Sequence, residues 1–97
     1  MKLLTKDLEK RFKEIGSQEN EKDPIVIAKF FNPCGAGTWY ATEYDPETKT
    51  FFGYVKLLED EWGYFSLEEL ENINLPLGLK IERDLYTKEK RLSEYKN

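Results

Sequence analysis

Residues 39–54 read WYATEYDPETKTFFGY and carry the clearest structural pattern of the chain. Two runs rich in aromatic and β-branched residues flank the segment DPETK, which has proline at the second position of a β-turn. This pattern predicts a β-hairpin, with one strand over about residues 38–44 and the next over about residues 50–58.

Aromatic residues are concentrated around the predicted hairpin. Eleven of the fourteen in the chain lie between Phe30 and Phe65. Because alternate side chains of a strand point to opposite faces, these runs place large apolar groups on both faces of the expected sheet. We therefore expect both faces to be covered, one by a helix and the other by a second helix, a second copy of the chain or a ligand.

Three further strands are predicted. Residues 25–31 are almost continuously apolar, which indicates a central strand that is buried on both faces. A short strand is expected at residues 62–65, after an acidic turn at residues 59–61. Apolar and polar residues alternate over residues 79–86, and this alternation predicts a fifth strand.

Two helices are predicted. The first begins after the N-cap residue Thr5, ends at Gly16 and is amphipathic. Its apolar face is formed by Leu8, Phe12 and Ile15. Residues 66–69 read SLEE, a capping-box pattern that predicts a second, short helix.

Together these elements predict a single α+β domain over residues 1–97, because a chain of this length supports one modest core. The expected architecture is an antiparallel meander of four to five strands, with the N-terminal helix packed on one face and the short second helix near an edge. Residues 17–24, which read SQENEKDP, are predicted to be a mobile surface linker. Residues 87–97 are predicted to be a charged tail.

The composition excludes several classes of function. The chain has no histidine and one cysteine, Cys34, so a Ser-His-Asp triad, a Cys-His pair, an intrachain disulfide and most zinc sites are ruled out. We interpret Cys34 as a small loop thiol, and no cofactor or metal is expected. The net charge of −4 argues against general binding of a nucleic-acid backbone. The longest apolar run is too short to span a bilayer, and the first residues lead directly into charged ones, so we expect a cytoplasmic protein without membrane association.

The loop at residues 32–37, NPCGAG, is the first candidate for a binding site, because its small residues permit close backbone approach to a ligand. Asn32 is the ligand-binding candidate there. Arg83 is the second candidate, since alternation on a strand places it on the face opposite Glu82 and Asp84. It either forms a salt bridge to a carboxylate such as Glu43 or anchors an anion with its planar guanidinium group.

The tyrosines of the expected sheet allow two interpretations. They belong to the core beneath the helices, or Tyr40, Tyr44 and Tyr54 form an open stacking or dimerisation surface. Alternation within the strand at residues 38–44 predicts that Trp39 and Glu43 share one face. The other face is then expected to carry Tyr40, Thr42 and Tyr44.

Five motifs occur in order along the chain and cover most of it: KFFNP, WYATEYDP, FFGYV, GYFSLEEL and IERDL, which begin at residues 29, 39, 51, 63 and 81. This series resembles a family of small prokaryotic proteins catalogued as domain of unknown function 2958. The resemblance implies a short, stand-alone protein of the kind commonly carried on plasmids, conjugative elements and phages. It implies no activity and no catalytic residues.

These observations favour a non-enzymatic accessory or binding protein that acts through protein–protein contact, with an acidic surface that meets an unidentified basic partner. One alternative is a small-molecule or nucleotide binder that holds a small anionic ligand with Arg83 and the aromatic face. A second alternative is a hydrolase built on the carboxylates Glu43, Asp45 and Asp84. The sequence is compatible with both a monomer and a homodimer.

Overall fold

The computed structural model describes residues 1–96. Helices and strands follow one another in this order: α1 (Lys6–Ile15), β1 (Ile25–Val26), β2 (Ala28–Phe31), β3 (Thr38–Asp45), β4 (Thr50–Lys56), β5 (Asp60–Ser66), α2 (Leu67–Asn72), β6 (Glu82–Arg83), β7 (Lys90–Arg91) and α3 (Leu92–Lys96). A short 3-10 helix, Pro76–Gly78, lies between α2 and β6.

The main sheet is five-stranded and antiparallel, with the strand order β5-β4-β3-β2-β6. A separate two-stranded ladder joins β1 to β7. This architecture confirms the predicted α+β class. The hairpin of β3 and β4 is also confirmed, and its turn is held by the backbone N–H of Glu47, which donates to Oδ1 of Asp45 over 2.9 Å.

Helix α1 has the ends that the sequence predicts. The backbone N–H of Leu8 donates to the Thr5 hydroxyl over 3.2 Å, which satisfies one of the unpaired donors of the first turn. Gly16 adopts a φ of 70°, and its N–H donates to the carbonyl of Phe12. Phe12 is buried against the sheet, so α1 covers this sheet face as expected.

The main core lies between the sheet, α1, α2 and the N-terminal residues. Phe51 is at its centre, with ring centroids 5.2 Å from Phe30, 5.8 Å from Phe12 and 5.4 Å from Phe65. Leu70 of α2 is fully buried in the same cluster, and the backbone N–H of Glu69 donates to the Ser66 hydroxyl over 2.9 Å, as the capping pattern predicts.

A β-bulge changes the alternation within β3. The register with β4 shifts between Ala41 and Glu43, so Thr42 is the extra residue, and its hydroxyl donates to the carbonyl of Phe52. Before the bulge Trp39 and Tyr40 lie on opposite faces, as predicted. Beyond it Tyr44 packs in the core that contains Trp39, while Glu43 pairs with Phe52. The predictions that Tyr44 shares a face with Tyr40 and that Glu43 shares a face with Trp39 are therefore both wrong, because one inserted residue reverses the alternation.

Two predicted strands are shorter than the sequence indicated. Residues 25–31 divide into β1 and β2 at Ile27, and only β2 joins the main sheet. Residues 79–86 contribute two strand residues, Glu82 and Arg83. The strand ends because Asp84 starts a turn, in which its carboxylate accepts from the N–H of Tyr86 and its carbonyl accepts from Thr87.

The C-terminal segment covers part of the second sheet face. β7 pairs with β1, and Leu92 and Tyr95 of α3 pack with Val26, Tyr40 and Tyr54 in a second apolar cluster. Polar contacts fix the segment: the Ser93 hydroxyl donates to Asp23 over 2.6 Å, and Arg11 of α1 forms a salt bridge with Glu89 at 2.8 Å. Within residues 1–96, no helix combines the length and apolarity needed to cross a membrane.

Candidate functional site

The structure separates the three tyrosines that the sequence grouped as a candidate surface. Tyr40 and Tyr54 are buried, with 6% and 8% of their surfaces exposed, beneath the C-terminal segment. The Tyr40 ring lies 5.6 Å from that of Tyr95. Tyr44 packs on the other face, 4.8 Å from the Phe51 ring. Tyr40 and Tyr54 therefore belong to the smaller apolar cluster, and Tyr44 packs against the main core.

Burial raises the pKa of the Tyr40 phenol, and the negative charge of Asp60 raises it further. Burial is also the main cause of the raised pKa of the Tyr95 phenol. Both phenols are thus held in their neutral form, as expected for rings packed against one another in an apolar cluster.

Arg83 and Asn32 make local structural contacts. Nη1 of Arg83 donates to the carbonyl of Lys2 over 2.8 Å and to that of Leu3 over 3.4 Å, so the guanidinium group holds the N-terminal residues on the sheet. Asn32 accepts from the N–H of Cys34 over 2.7 Å and closes the loop between β2 and β3. Ligand binding by either residue stays a prediction.

The three carboxylates of the hydrolase interpretation have different surroundings. Asp84 forms an ion pair with Lys29 at 3.6 Å, Asp45 holds the hairpin turn, and Glu43 lies beside Phe52 on the second sheet face. Over residues 1–96, no cluster of three or more Asp, Glu or Cys side chains is arranged to hold a metal ion.

The open part of the second sheet face carries three adjacent rings, Phe52, Trp62 and Tyr64, which we call the aromatic surface. Trp62 is 45% exposed and Tyr64 is 79% exposed. The Phe52 ring stacks on Trp62 at a centroid distance of 6.1 Å and meets the edge of Tyr64 at 4.9 Å. Trp62 also contacts the buried Tyr54 ring at 5.3 Å, so the surface is anchored to the second apolar cluster.

Two depressions border the aromatic surface and share Glu43, Phe52 and Tyr64 in their linings. The larger, which we call the hairpin cleft, has a volume of about 760 Å³ and lies between α1 and the turn of the β3–β4 hairpin. The smaller, which we call the linker depression, has a volume of about 440 Å³ and lies beside residues 18–24. Together they extend the aromatic surface around the end of the sheet.

Carboxylates outnumber lysines five to three in the linings of these two depressions. The acidic residues are Glu9, Glu19, Glu21, Glu43 and Asp45, and the basic ones are Lys10, Lys13 and Lys22. Glu21 is paired with Arg91 at 3.6 Å. The remaining carboxylates outnumber the lysines by one, so the border of the aromatic surface has a small excess of negative charge that favours a partner with basic side chains.

Gln18 shapes the linker depression and was not identified from the sequence. Its buried amide donates to the carbonyls of Ile25 and Thr42, each over 2.8 Å, and accepts from the N–H of Ile25 over 2.7 Å. The side chain thus binds the backbone of β3 at the bulge, where β2 no longer pairs with it. A lone glutamine in a polar segment carries no sequence signal for such a role.

The sequence did contain a signal for the aromatic surface. Trp62, Gly63 and Tyr64 alternate, so both rings must lie on one face of β5. The sequence pattern did not predict that β5 lies at the edge of the sheet. It also did not predict that the C-terminal segment covers Tyr40 and leaves the rings of Trp62 and Tyr64 exposed.

Fold and site together define a small α+β protein with an open aromatic sheet face bordered by carboxylates. The chain matches the family described as Protein of unknown function (DUF2958) over residues 3–97, and it belongs to that family. The resemblance that the motifs indicated is thereby confirmed. No curated protein and no solved structure matches the chain.

Proposed function

We propose that this protein is a non-enzymatic accessory protein of a prokaryotic mobile genetic element, and that it acts in the cytoplasm by binding another protein. The observation that carries the proposal is the aromatic surface, where the half-buried Phe52 ring contacts both Trp62 and Tyr64, and these two rings are exposed on one sheet face. Contiguous exposed aromatic rings are unusual on a monomer and are enriched at protein interfaces. The association with a mobile element rests on the resemblance of the motifs alone.

The partner in this proposal presents an apolar or aromatic side chain flanked by lysine or arginine. The apolar group fills the hairpin cleft against Phe52 and Tyr64, and the basic groups face Glu43 and the other carboxylates of the border. Trp and Tyr supply most of the binding energy in many interfaces, whereas charges at the rim mainly raise the association rate.

The test compares the wild-type protein with the double variant Trp62→Ala/Tyr64→Ala as bait in a lysate of the native host. Tyr86→Ala is the matched control, because Tyr86 is 92% exposed and does not line either depression. Each protein recovered is then purified and its affinity measured directly. We expect the double variant to bind the partner at least about tenfold more weakly, as for loss of two interface aromatic residues.

A further measurement tests the partner's chemistry. Glu43→Gln is expected to slow association at low salt more than at high salt, since screening removes the contribution of an exposed charge. If the double variant binds every recovered partner as tightly as the wild type does, the aromatic surface is not the binding site and the proposal fails.

The small-molecule alternative has one observation in its favour, the volume of the hairpin cleft, which is typical of ligand pockets. Arg83 is not among the residues that line this cleft, and the carboxylates there oppose an anionic ligand. Native mass spectrometry of protein purified from the host would detect a retained ligand. A stoichiometric mass increase that Phe52→Ala abolishes would favour this alternative over protein binding.

A further inference from the structure

The two edges of the main sheet differ in length and in protection. The β6 edge has two strand residues, and the N-terminal segment covers it: the backbone N–H of Arg83 donates to the sulfur of Met1, and its guanidinium group binds the carbonyl of Lys2. The β5 edge has seven strand residues, and within residues 1–96 no strand other than β4 pairs with it. Long unprotected edges are templates for pairing with another strand.

The hydrogen-bond pattern shows which groups of β5 are open. The N–H of Leu57 donates to the carbonyl of Glu59, and the N–H of Leu67 donates to the carbonyl of Lys49. Because hydrogen-bonded pairs alternate along an antiparallel ladder, the odd-numbered residues of β5 bond to β4. The backbone N–H and C=O groups of Asp60, Trp62 and Tyr64 consequently point away from β4, toward the open side.

We propose that β5 pairs with β5 of a second copy of this chain, antiparallel and with the two-fold axis at Gly63. In this register Trp62 lies opposite Tyr64 of the second copy, and Tyr64 lies opposite its Trp62. These are the residues whose backbone groups are open, so they form the hydrogen-bonded pairs. The two Gly63 residues form the non-hydrogen-bonded pair, in which the chains approach most closely.

The side chains of β5 suit this register. It places aromatic rings opposite each other, which stabilises a cross-strand pair. It also places Asp60 opposite Ser66 and Glu61 opposite Phe65, so no two carboxylates face each other directly. Moving the axis to Trp62 would leave Ser66 without a partner, and moving it to Tyr64 would bring Asp60 opposite Glu68 of α2. The axis at Gly63 pairs the whole strand.

The assembly stops at two copies. In the combined sheet, β6 of each copy is the outermost strand, and the N-terminal segment covers this short edge. A symmetric contact of this kind yields a dimer rather than a fibre. It also places two copies of the aromatic surface side by side on one sheet face. The inference extends beyond the proposed function, since backbone pairing does not require the rings to bind a partner.

Cross-linking tests the register directly. Gly63→Cys is made in a Cys34→Ser background, because Cys34 is exposed and would react by itself. A Cβ at Gly63 meets no atom within 4 Å, so the substitution fits the fold. Paired Cα atoms at a non-hydrogen-bonded site are about 4.5 Å apart, within the range of a disulfide. We expect mild oxidation to give a disulfide-linked dimer.

Glu61→Cys in the same background is the matched control. It lies on the same strand and the same face, but the proposed register separates the two copies of residue 61 by four residues, roughly 13 Å along the strands. This variant is expected to stay largely monomeric after the same oxidation. Equal cross-linking of the two variants, or cross-linking of Glu61→Cys alone, contradicts the register.

A second variant tests the hydrogen bonds without a cysteine. Tyr64→Pro removes an N–H that points away from β4, so the intramolecular ladder is retained. Sedimentation over a wide concentration range should show a wild-type dimer and a dissociation constant about tenfold higher or more for Tyr64→Pro, since two symmetric N–H donors and two cross-strand aromatic pairs are lost. Circular dichroism of both proteins confirms that the fold is retained.

A wild-type protein that stays monomeric at all concentrations contradicts the proposal. The proposal is also contradicted if β5 pairs with a strand of a different protein. In that case Tyr64→Pro loses that partner, and Gly63→Cys does not form a cross-linked dimer. Phe52→Ala separates this inference from the proposed function. Because Phe52 lies on β4, its loss weakens partner binding through the aromatic surface and leaves the β5 pairing intact.

Discussion

Position 53 has no room for a side chain in this fold. A Cβ built on Gly53 would overlap the carbonyl oxygen of Tyr40 and crowd the Cα of Ala41, both of which are backbone atoms of β3 beside the bulge. Gly63 is the partner of Gly53 on β5, and a Cβ there meets no atom within 4 Å. The two glycines of one cross-strand pair therefore have different structural roles.

We predict that Gly53→Ala lowers the free energy of unfolding by about 3 kcal/mol or more, because β3 must move to make room. Gly63→Ala is the matched control and should change it by less than about 0.5 kcal/mol. Urea denaturation of the two variants measures both effects. Similar midpoints for the two variants would contradict the assignment of the close contact at position 53.

The amide of Gln18 is buried and makes three hydrogen bonds to the backbone. Gln18→Ala removes three hydrogen bonds and leaves the buried carbonyl of Thr42 and the N–H of Ile25 without their partner. We expect a loss of about 1–3 kcal/mol in the free energy of unfolding, the usual cost of unsatisfied buried groups. The neighbouring variant Glu19→Ala changes an exposed residue and should be nearly neutral, and an equal effect of both would show that the Gln18 amide is not structural.

At the scale of elements, the C-terminal segment decides which aromatic residues are available. β7 and α3 bury Tyr40 and Tyr54, whereas Trp62 and Tyr64 stay exposed and Phe52 is half-buried. A two-stranded ladder with β1 and the ion pair between Arg11 and Glu89 hold the segment in place. The ion pair is largely exposed and contributes little by itself, so the apolar contacts of Leu92 and Tyr95 are the main stabilising term.

We predict that Leu92→Ala lowers the free energy of unfolding by about 2–5 kcal/mol, because Leu92 is 3% exposed and its removal leaves a cavity above Val26. Leu85→Ala is the matched control, since Leu85 is 61% exposed. Thermal denaturation with calorimetry compares the two variants. Equal stability of both would show that the C-terminal segment is not part of the folded core.

At the scale of the whole molecule, acidic and aromatic groups meet where α1, the β3–β4 hairpin and α2 converge on Tyr44. Burial raises the pKa of the Tyr44 phenol above its usual 10.0, and the negative charges of Glu9, Asp45 and Glu71 add to the shift. The folded state therefore holds this proton more tightly than the unfolded state does. The resulting stabilisation is complete below pH 10 and is lost as the pH rises through the raised pKa.

We predict that the stability of Tyr44→Phe declines less than that of the wild type when the pH is raised from neutral to above 10. The difference in unfolding free energy between the two proteins cancels the effect of lysine titration, because both proteins have the same lysines. Urea midpoints at several alkaline pH values measure it. Parallel curves for the two proteins would show that Tyr44 does not contribute to the alkaline loss of stability.

The amino-acid sequence by itself determined the α+β class, the β3–β4 hairpin, the ends of α1 and the start of α2. Those features depend on interactions within a few residues, such as the caps at Thr5 and Ser66 and the turn at Asp45, so local pattern is sufficient for them. The alternation of Trp62 and Tyr64 likewise placed both rings on one face.

Only the tertiary structure decided which rings are open and which edge of the sheet is free. The bulge at Thr42 moved Tyr44 to the core face, and the return of residues 87–96 to β1 covered Tyr40 and Tyr54. Arg83 was assigned to backbone carbonyls at the N-terminus, about eighty residues away in sequence. Each of these outcomes depends on contacts between distant segments, and residue type and periodicity carry no information on which distant segment a side chain will meet.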